Sequence, residues 1–154
     1  MEIKNDLFIQ NENINSHLNI IEKIKKGELY DIFKLMCKSN NDSIILDYIY
    51  FKYIATKETY DYILSFIINN IDKVLKEYNG FCIHINMKNL SIVEIDKHKP
   101  FIQNMSEFFK EKYPKKLTVC YIYNAPFVFS QLFNILTLFI DKETQSKIKI
   151  VNKS

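Results

Sequence analysis

The residues that could carry out chemistry are few in this chain and stand apart from one another. Its three histidines, His17, His84 and His98, fall on separate predicted elements. His84 lies within a predicted strand, where a hydrogen-bonded core histidine is more common than a catalytic base. The sequence has no glycine-rich phosphate loop, no serine elbow and no group of ligands at metal-binding spacing. We therefore expect a binding protein with no catalytic residue and no metal.

The cysteines give no sign of chemistry either. Cys37, Cys82 and Cys120 are isolated, and the last two lie within predicted strands. An odd number of cysteines without Cys-x-x-Cys spacing argues against a disulfide framework and against a zinc site. We expect reduced, buried and unreactive thiols.

The composition is typical of one soluble domain. The 154 residues are 47% hydrophobic and 25% charged, enough for a single core. A net charge of +3 is mildly basic, which does not indicate a nucleic-acid partner but is compatible with weak attraction to anionic lipid surfaces. No apolar run approaches the ~20 residues of a membrane span, and the polar N-terminus is unlike a signal peptide. These features predict a cytoplasmic protein.

Strand and helix patterns alternate along the chain. Helical spacing is found over about 16–38 (with an interruption at Gly27), 56–79, 95–113 and 126–140. Runs rich in Ile, Tyr and Phe predict strands over 43–54, 81–86, 118–123 and 148–151, with loops at 39–42 and 87–90. Alternation of this kind predicts an α/β fold, in which βαβ units form a mostly parallel twisted sheet flanked by helices. We expect one domain over 1–154, with a short helical N-terminal segment over 1–42 and the main lobe over 43–151.

Four residues mark the predicted helix boundaries. Thr56 is expected to cap the second helix, and Asn79-Gly80 to end it in the left-handed conformation. Pro100 should lie near the start of the third helix, where its missing N–H costs nothing.

The segment from Pro126 to Ile140 is apolar around most of its circumference. As a helix it has one narrow polar stripe, formed by Ser130, Asn134, Thr137 and Asp141. The apolar arc is wider than one sheet contact normally needs. Periodicity favours a deeply buried core helix. The alternative is a helix with one side toward the sheet and the other toward a removable apolar ligand.

A series of motifs surrounds this segment in a fixed order. It comprises Tyr113-Pro114, an apolar strand to Tyr123, Asn-Ala-Pro-Phe-Val-Phe at 124–129, Phe139-Ile140-Asp141, and Thr-x-x-Lys-Ile at 144–148. This order resembles the CRAL-TRIO lipid-binding family, of the phosphatidylinositol-transfer type. Residues 83–91 resemble the family's strand and its Asp-Leu-Lys-Gly turn, with Asn86 for Asp and Asn89 for Gly. The resemblance covers roughly residues 43–151 and identifies them as a lipid lobe.

The resemblance implies a function and a site. It implies a soluble protein that holds a phospholipid, a phosphatidylinositol or phosphoinositide, in an apolar pocket under a helical gate. It implies no cofactor other than the bound phospholipid, and a cytoplasmic protein that is peripheral on membranes, with transient contact at the membrane surface. The implied acyl pocket and gate comprise Phe127, Phe129, Leu132, Phe133, Leu136, Phe139, Ile140, Ile83, Ile85, Tyr121 and Tyr123.

The same resemblance suggests where a headgroup would bind. In phosphatidylinositol-binding members, the Thr and Lys of the Thr-x-x-Lys element lie near the headgroup, and these are Thr144 and Lys147 here. A lysine ammonium can meet phosphate oxygens, and a threonine hydroxyl can donate to them. The alternative interpretation is structural: Thr144 would be a loop threonine that caps a turn, and Lys147 a solvated lysine.

This chain departs from the family pattern after the Tyr-Pro corner. Such members carry an acidic residue there, whereas this chain has Lys115 and Lys116. A cluster of Lys115, Lys116 and Lys147 would favour a more highly phosphorylated headgroup than ordinary phosphatidylinositol.

Chain length suggests an alternative function. With about forty residues before the lobe, the chain is expected to be the lipid lobe alone, as in compact members of the family. Some compact members bind small GTPases or dimerise. The alternative is therefore a protein-interaction module that binds a small GTPase or forms a homodimer.

Overall fold

The computed structural model describes Phe8 and residues 27–151. The first part of the predicted N-terminal helix, from Ser16 to Lys26, lies outside the described residues. The elements are α1 (Leu29–Met36), β1 (Cys37–Asn40), β2 (Ser43–Asp47), α2 (Tyr48–Ile54), α3 (Tyr60–Leu75), β3 (Phe81–Asn86), α4 (Ile92–Lys97), α5 (Lys99–Lys112), β4 (Leu117–Tyr123), α6 (Phe129–Leu136), α7 (Lys142–Ser146) and β5 (Ile148–Val151).

The five strands form one sheet in the order β1-β2-β3-β4-β5. β1 is antiparallel to β2, and every other pair is parallel. The predicted α/β fold with a mostly parallel sheet is thus confirmed. The sequence missed β1, because residues 37–40 were assigned to a helix end and a loop. β1 and β2 form a hairpin whose two-residue loop contains Asn41 at φ 54°, a conformation that asparagine tolerates.

The two faces of the sheet have different partners. Parallel strands in sequential order, joined by right-handed connections, place the connecting helices on one face. On that face Ile44, Ile83 and Cys120 are neighbours in register and belong to the main core. On the opposite face, Ile45 and Tyr123 form a second cluster with Phe8, whose ring centre lies 5.1 Å from that of Tyr123.

The predicted strand over 43–54 is wrong in its second half. β2 stops at Asp47, whose carboxylate accepts a hydrogen bond from the Ile49 N–H and so caps α2. Tyr48, Ile49, Tyr50 and Ile54 are buried in this helix. Packing around the first turn therefore overrides the strand propensity of a run rich in Tyr and Ile.

The ends of α3 also differ from the prediction. A turn leads from Thr56 into α3, which begins at Tyr60, and it is the Thr59 hydroxyl that accepts the Thr56 N–H. Gly80 does not end the helix in the left-handed conformation, because α3 stops at Leu75. Gly80 is needed for a close approach instead: a Cβ there would lie 2.8 Å from the Lys116 carbonyl oxygen.

The helix predicted over 95–113 is divided in two. Ser91 caps α4 by accepting the Glu94 N–H, and the break falls at His98. Pro100 lies in the first turn of α5, as predicted.

The helix predicted over 126–140 is shorter than expected. α6 spans only Phe129–Leu136. After it, the N–H groups of Leu138 and Phe139 each donate to the carbonyl oxygen three residues earlier, the tighter pattern with which many helices end. Asp141 then caps α7. The segment expected to be the gate is therefore a two-turn helix bounded by turns on both sides.

Candidate functional site

A cavity of about 190 Å³ lies between the helix-covered face of the sheet and the helices. The sheet contributes Leu46, Ile85, Cys120, Ile122 and Ile148 to its wall, and almost every other lining residue is apolar. Packed protein interiors contain few voids larger than a water molecule. Apolar voids near this size stay dry and accept apolar guests. The cavity is therefore suited to a small apolar ligand or to part of a larger one.

Helix α6 forms one wall of the cavity. Phe129, Leu132 and Leu136, at spacings of three and four, line it, and the first two are buried. The cleft expected beneath the apolar segment is thus present in the structure.

The remaining gate residues lie elsewhere. Phe133 packs on the main core without lining the cavity, while Phe139 and Ile140 are half-buried away from its wall. Phe127, in the turn before α6, is 99% exposed.

The strand residues assigned to the pocket divide between the two faces. Ile85 lines the cavity, and Ile83 is in the main core on the same face. Tyr121 and Tyr123 were wrongly assigned, because they lie on the opposite face, in register with His84 and Asn86. Side chains alternate across a strand, so the cavity-facing residue of this stretch is Ile122.

His84 belongs to the opposite face as well. Its Nδ1 lies 2.8 Å from the Tyr123 hydroxyl, and its ring packs against both Tyr121 and Tyr123. Burial lowers the pKa of His84 below its ordinary value. It is thus a hydrogen-bonded core histidine, as the sequence suggested.

Four polar residues interrupt the apolar wall: Asp47, Tyr48, Glu94 and His98. His98 Nε2 lies 3.0 Å from Glu94 Oε2, and His98 Nδ1 hydrogen-bonds the hydroxyl of Tyr60. Burial lowers the pKa of His98, although Glu94 acts to raise it. A neutral ring that donates from Nε2 and accepts at Nδ1 satisfies both partners.

Asp47 stands at the carboxyl end of β2. Burial raises the pKa of its carboxyl to about 6, against lowering by the Ile49 N–H, by Lys38 and by Asn86. Asn86, at the same end of β3, accepts from the Asn124 amide at 3.0 Å. The carboxyl ends of parallel strands are the usual ligand edge of an α/β sheet, and here that edge carries the cavity's acidic groups.

The predicted headgroup residues lie at the other end of the strands, the amino end. Lys116 directly precedes β4, and Lys147 directly precedes β5. Because Cys120 pairs with Ile148, Lys116 lies three residues further out than Lys147, about 10 Å along the strands. Lys115, at φ 62°, and Lys116 are exposed. None of these three lysines lines the cavity, whose wall nonetheless reaches Ile148, next to Lys147.

Thr144 and Lys147 have local partners on α7. The Thr144 N–H donates to Asp141 Oδ1 at 2.7 Å, and hydrogen bonds from Thr144 lower the pKa of Asp141. Lys147 Nζ lies 3.7 Å from Glu143 Oε1, and the lysine side chain is 23% exposed. These contacts hold the Lys147 side chain against α7 and leave it partly open to solvent.

Sequence reasoning missed Tyr48, Asp47 and Glu94. Tyr48 and Asp47 were placed in a strand that turns out to end between them. A spacing of four between Glu94 and His98 was the one available signal. It pointed to a pair on one helix face, and the structure forms that pair across the break between α4 and α5.

Other site chemistry is limited in the described part of the chain. The three cysteines are free and buried, as expected, and burial raises the pKa of Cys37 and of Cys120 to about 12. Residues 27–151 and Phe8 contain no group of three or more His, Cys, Asp or Glu side chains arranged for a metal. In the same residues, no helix has the length and apolarity needed to cross a membrane.

The family assignment follows from fold and sequence together. The model of the CRAL/TRIO domain matches residues 29–154. The chain therefore belongs to the CRAL/TRIO domain family, as the motif order indicated. The match begins at α1, ahead of the boundary expected at 43, and so includes the helix and the strand that precede β2.

Several relatives are similar to parts of the chain. The Sec14 cytosolic factor of Schizosaccharomyces pombe is 30% identical over 73 residues, covering 47% of this chain and 26% of that protein. The SEC14 cytosolic factor of Kluyveromyces lactis is 32% identical over 73 residues, covering 47% and 24%. The matches thus span about a quarter of these relatives.

A solved structure shares the fold. The crystal structure of Sfh5 superposes with a TM-score of 0.66 at 19% identity, covering 80% of this chain and 48% of that chain. At this identity the similarity concerns the fold alone.

Proposed function

We propose that the protein binds a phospholipid, a phosphatidylinositol or phosphoinositide, and carries it between membranes without chemical change. The observation that carries the proposal is the apolar cavity under α6, whose wall includes Phe129, Leu132 and Leu136. Membership of the CRAL/TRIO domain family and the similarity to proteins named Sec14 cytosolic factor support it. Their name also supports a cytosolic location, and the proposal adds that the protein is peripheral on membranes.

The size of the cavity requires a second conformation. At about 190 Å³ it is smaller than the ~300–1,000 Å³ of pockets that enclose drug-sized ligands, and a phospholipid is larger still. We therefore propose that α6, bounded by turns at both ends, moves outward when lipid enters. Each buried methylene contributes about 0.8 kcal/mol, so an acyl chain provides the free energy to hold the open form.

The headgroup would sit where the cavity reaches Ile148. There Lys147 and Thr144 could contact the phosphate, with Lys115 and Lys116 further out along the same edge. Lysines at 115 and 116, in place of the family's acidic residue, favour a phosphoinositide that carries additional phosphates. The acidic groups Asp47 and Glu94 at the other end make that end unsuitable for phosphate.

The membrane contact would involve exposed apolar side chains. Phe127 lies in the turn between β4 and α6, and Ile92 and Val93 lie in the first turn of α4, which follows β3. Phe127 and Val93 are 99% and 69% exposed. Apolar side chains at such positions can enter the headgroup layer of a bilayer.

Lipid identification tests the proposal directly. The full chain is purified and analysed by native mass spectrometry and lipid extraction, and transfer is measured between vesicles with and without phosphoinositide. We expect co-purified phospholipid and protein-dependent transfer. An empty chain that transfers none of these lipids would contradict the proposal.

A pair of substitutions tests the headgroup residues. Thr144→Ala with Lys147→Ala should lower phosphoinositide affinity about tenfold by removing charge-assisted hydrogen bonds, with little change in thermal stability. The matched control is Ser146→Ala with Lys142→Ala, which likewise removes one hydroxyl and one ammonium from this helix and should leave affinity unchanged. Equal affinity of both double variants would assign Thr144 and Lys147 a structural role alone.

A second candidate function is self-association. β5 pairs only with β4 within the described residues, and its Ile150 is 54% exposed. An open edge strand can pair with a second copy. Native mass spectrometry separates the two candidates, because a lipid-free dimer favours this one and a loaded monomer favours the lipid carrier.

A further inference from the structure

Asp47 is the more deeply buried of the two acidic residues in the cavity wall. It is 5% exposed, whereas Glu94 is half-buried. Its carboxylate caps α2 by accepting the Ile49 N–H, and Tyr48 and Phe51 of that helix line the same cavity. A change of charge at Asp47 is therefore a change in the wall of the cavity itself.

The charge of Asp47 is balanced on the side of the protein and not on the side of the cavity. Burial raises the pKa of its carboxyl to about 6, although the Ile49 N–H, Lys38 on β1 and Asn86 on β3 act to lower it. Of the described residues that line the cavity, none is a lysine or an arginine. The carboxyl therefore changes its charge close to neutral pH, next to a space without a compensating cation.

An apolar ligand in the cavity would change the environment of this carboxyl. It would remove the remaining contact with water on the side that faces the cavity. Moving a carboxylate out of water is far more costly than moving the neutral acid, and desolvation raises the pKa of a carboxyl for that reason. The filled cavity is therefore expected to favour the protonated acid more strongly than the empty one.

We propose that the cavity is proton-linked: entry of an apolar ligand is accompanied by protonation of Asp47, and release of the ligand by loss of that proton. The inference rests on the proposed function insofar as the cavity takes up apolar ligands. Because proton and ligand each favour the other, the affinity for the ligand depends on pH. Binding is tightest below pH 6, where the acid is already neutral, and weakens as the pH rises. Acidification thus favours loading, and a rise in pH favours release.

The other titratable groups of the wall predict different behaviour. Burial lowers the pKa of His98, and a ligand that buries the ring further would make binding release a proton and tighten as the pH rises. Burial raises the pKa of the Tyr48 phenol and of the Cys120 thiol, so both stay neutral between pH 5 and pH 8. The sign of the pH dependence therefore distinguishes Asp47 from His98, and a substitution distinguishes Asp47 from Glu94.

Naphthalene is a suitable probe, because it is apolar, does not titrate and carries no hydrogen-bonding group. Its binding to the full chain is measured by isothermal titration calorimetry from pH 5 to pH 8. We expect an affinity about tenfold higher at pH 5 than at pH 8, which corresponds to a rise of about one unit in the pKa of Asp47. At pH 6.5 the heats in phosphate and in imidazole, whose ionisation enthalpies differ, should show net uptake of protons.

Substitutions assign the proton to a named group. Asp47→Asn should bind naphthalene with an affinity independent of pH and about equal to that of the wild type at pH 5, because the amide is neutral like the protonated acid. Lys38→Gln should move the fall in affinity to higher pH, since Lys38 acts to lower the pKa of Asp47. A purely structural role would not move this midpoint. Asp61→Asn, at an exposed position of α3, is the matched control and should keep the wild-type profile.

The outcomes separate this proposal from the lipid-carrier proposal. Equal affinity at pH 5 and pH 8, tighter binding at pH 8, or pH dependence abolished by Glu94→Gln and kept by Asp47→Asn would overturn the proton linkage. In those cases the cavity still binds an apolar ligand, and the carrier proposal stands. Absence of naphthalene binding at pH 5 would also overturn the linkage. The carrier proposal fails only if, in addition, no phospholipid co-purifies or is transferred.

Discussion

His98 Nε2 lies 3.0 Å from Glu94 Oε2, and this contact joins α5 to α4 at the cavity wall. The other ring nitrogen is hydrogen-bonded to Tyr60 on α3. One buried imidazole, 2% exposed, therefore links three helices. No strand or helix pattern in the sequence reveals the contact with Tyr60. The contact with Glu94 is indicated only by their spacing of four along the chain.

Replacing His98 should change both stability and its dependence on pH. Burial holds the pKa of His98 below its ordinary value of 6.5, so at lower pH the unfolded chain takes up a proton that the folded chain does not. The free energy of unfolding contributed by this group is present above pH 6.5 and falls as the pH drops below it. His98→Gln should remove this loss of unfolding free energy below pH 6.5.

At neutral pH the same variant should be less stable by about 1–3 kcal/mol, because Glu94 or Tyr60 loses a buried partner. Urea denaturation at several pH values measures both effects. Lys97→Gln, at the exposed neighbouring position, is the control. A variant whose stability keeps the wild-type slope below pH 6.5 would show that His98 does not govern this loss.

The pH dependence of stability contributed by Asp47 should have the opposite sign. Its pKa is raised from 3.8 to about 6 by burial, so between these values the folded chain holds a proton that the unfolded chain has lost. Stability contributed by this group is present below about pH 4 and declines as the pH rises through 6. The shift corresponds to about 3 kcal/mol at most.

Asp47→Asn should therefore raise the free energy of unfolding at neutral pH, by about 1–3 kcal/mol. Its side-chain oxygen can still accept the Ile49 N–H and cap α2. Denaturation of both proteins across pH 4–7 provides the comparison, with Asp61→Asn, at an exposed position of α3, as control. Loss of stability at neutral pH would instead indicate that the Asp47 charge has a favourable partner.

The architecture could be predicted because the strongest patterns are local. Helical and strand periodicities alternate, and the rules for parallel connections convert that order into one sheet. The apolar helix around Phe129, Leu132 and Leu136 was found for the same reason, but its periodicity alone favoured a buried core helix, and the interpretation as a gate came from the family resemblance. These features depend on residues that are near one another in the chain.

The errors have a common physical origin in tertiary packing. The run from Tyr48 to Ile54 has strand-like residues, but a side-chain cap from Asp47 and burial make it a helix. Tyr121 and Tyr123 were assigned to the wrong face because β4 carries apolar or aromatic residues on both sides, so alternation alone does not show which side meets the helices. The four polar residues of the cavity wall and Tyr60 come from β2, α2, α3, α4 and the α4–α5 junction, a juxtaposition that no local pattern encodes.

Phe127 should control membrane contact without affecting the fold. Its side chain is 99% exposed in the turn before α6, so Phe127→Ala should change the free energy of unfolding by no more than about 0.5 kcal/mol. Removing a phenyl group that enters a bilayer costs about 2 kcal/mol of binding, a decrease in partitioning of roughly thirtyfold. Tyr62→Ala, at another exposed aromatic position, is the control. Co-sedimentation with phosphatidylinositol-containing vesicles measures the difference, and equal partitioning of the Phe127 variant and the wild type would place the membrane-contacting surface elsewhere on the molecule.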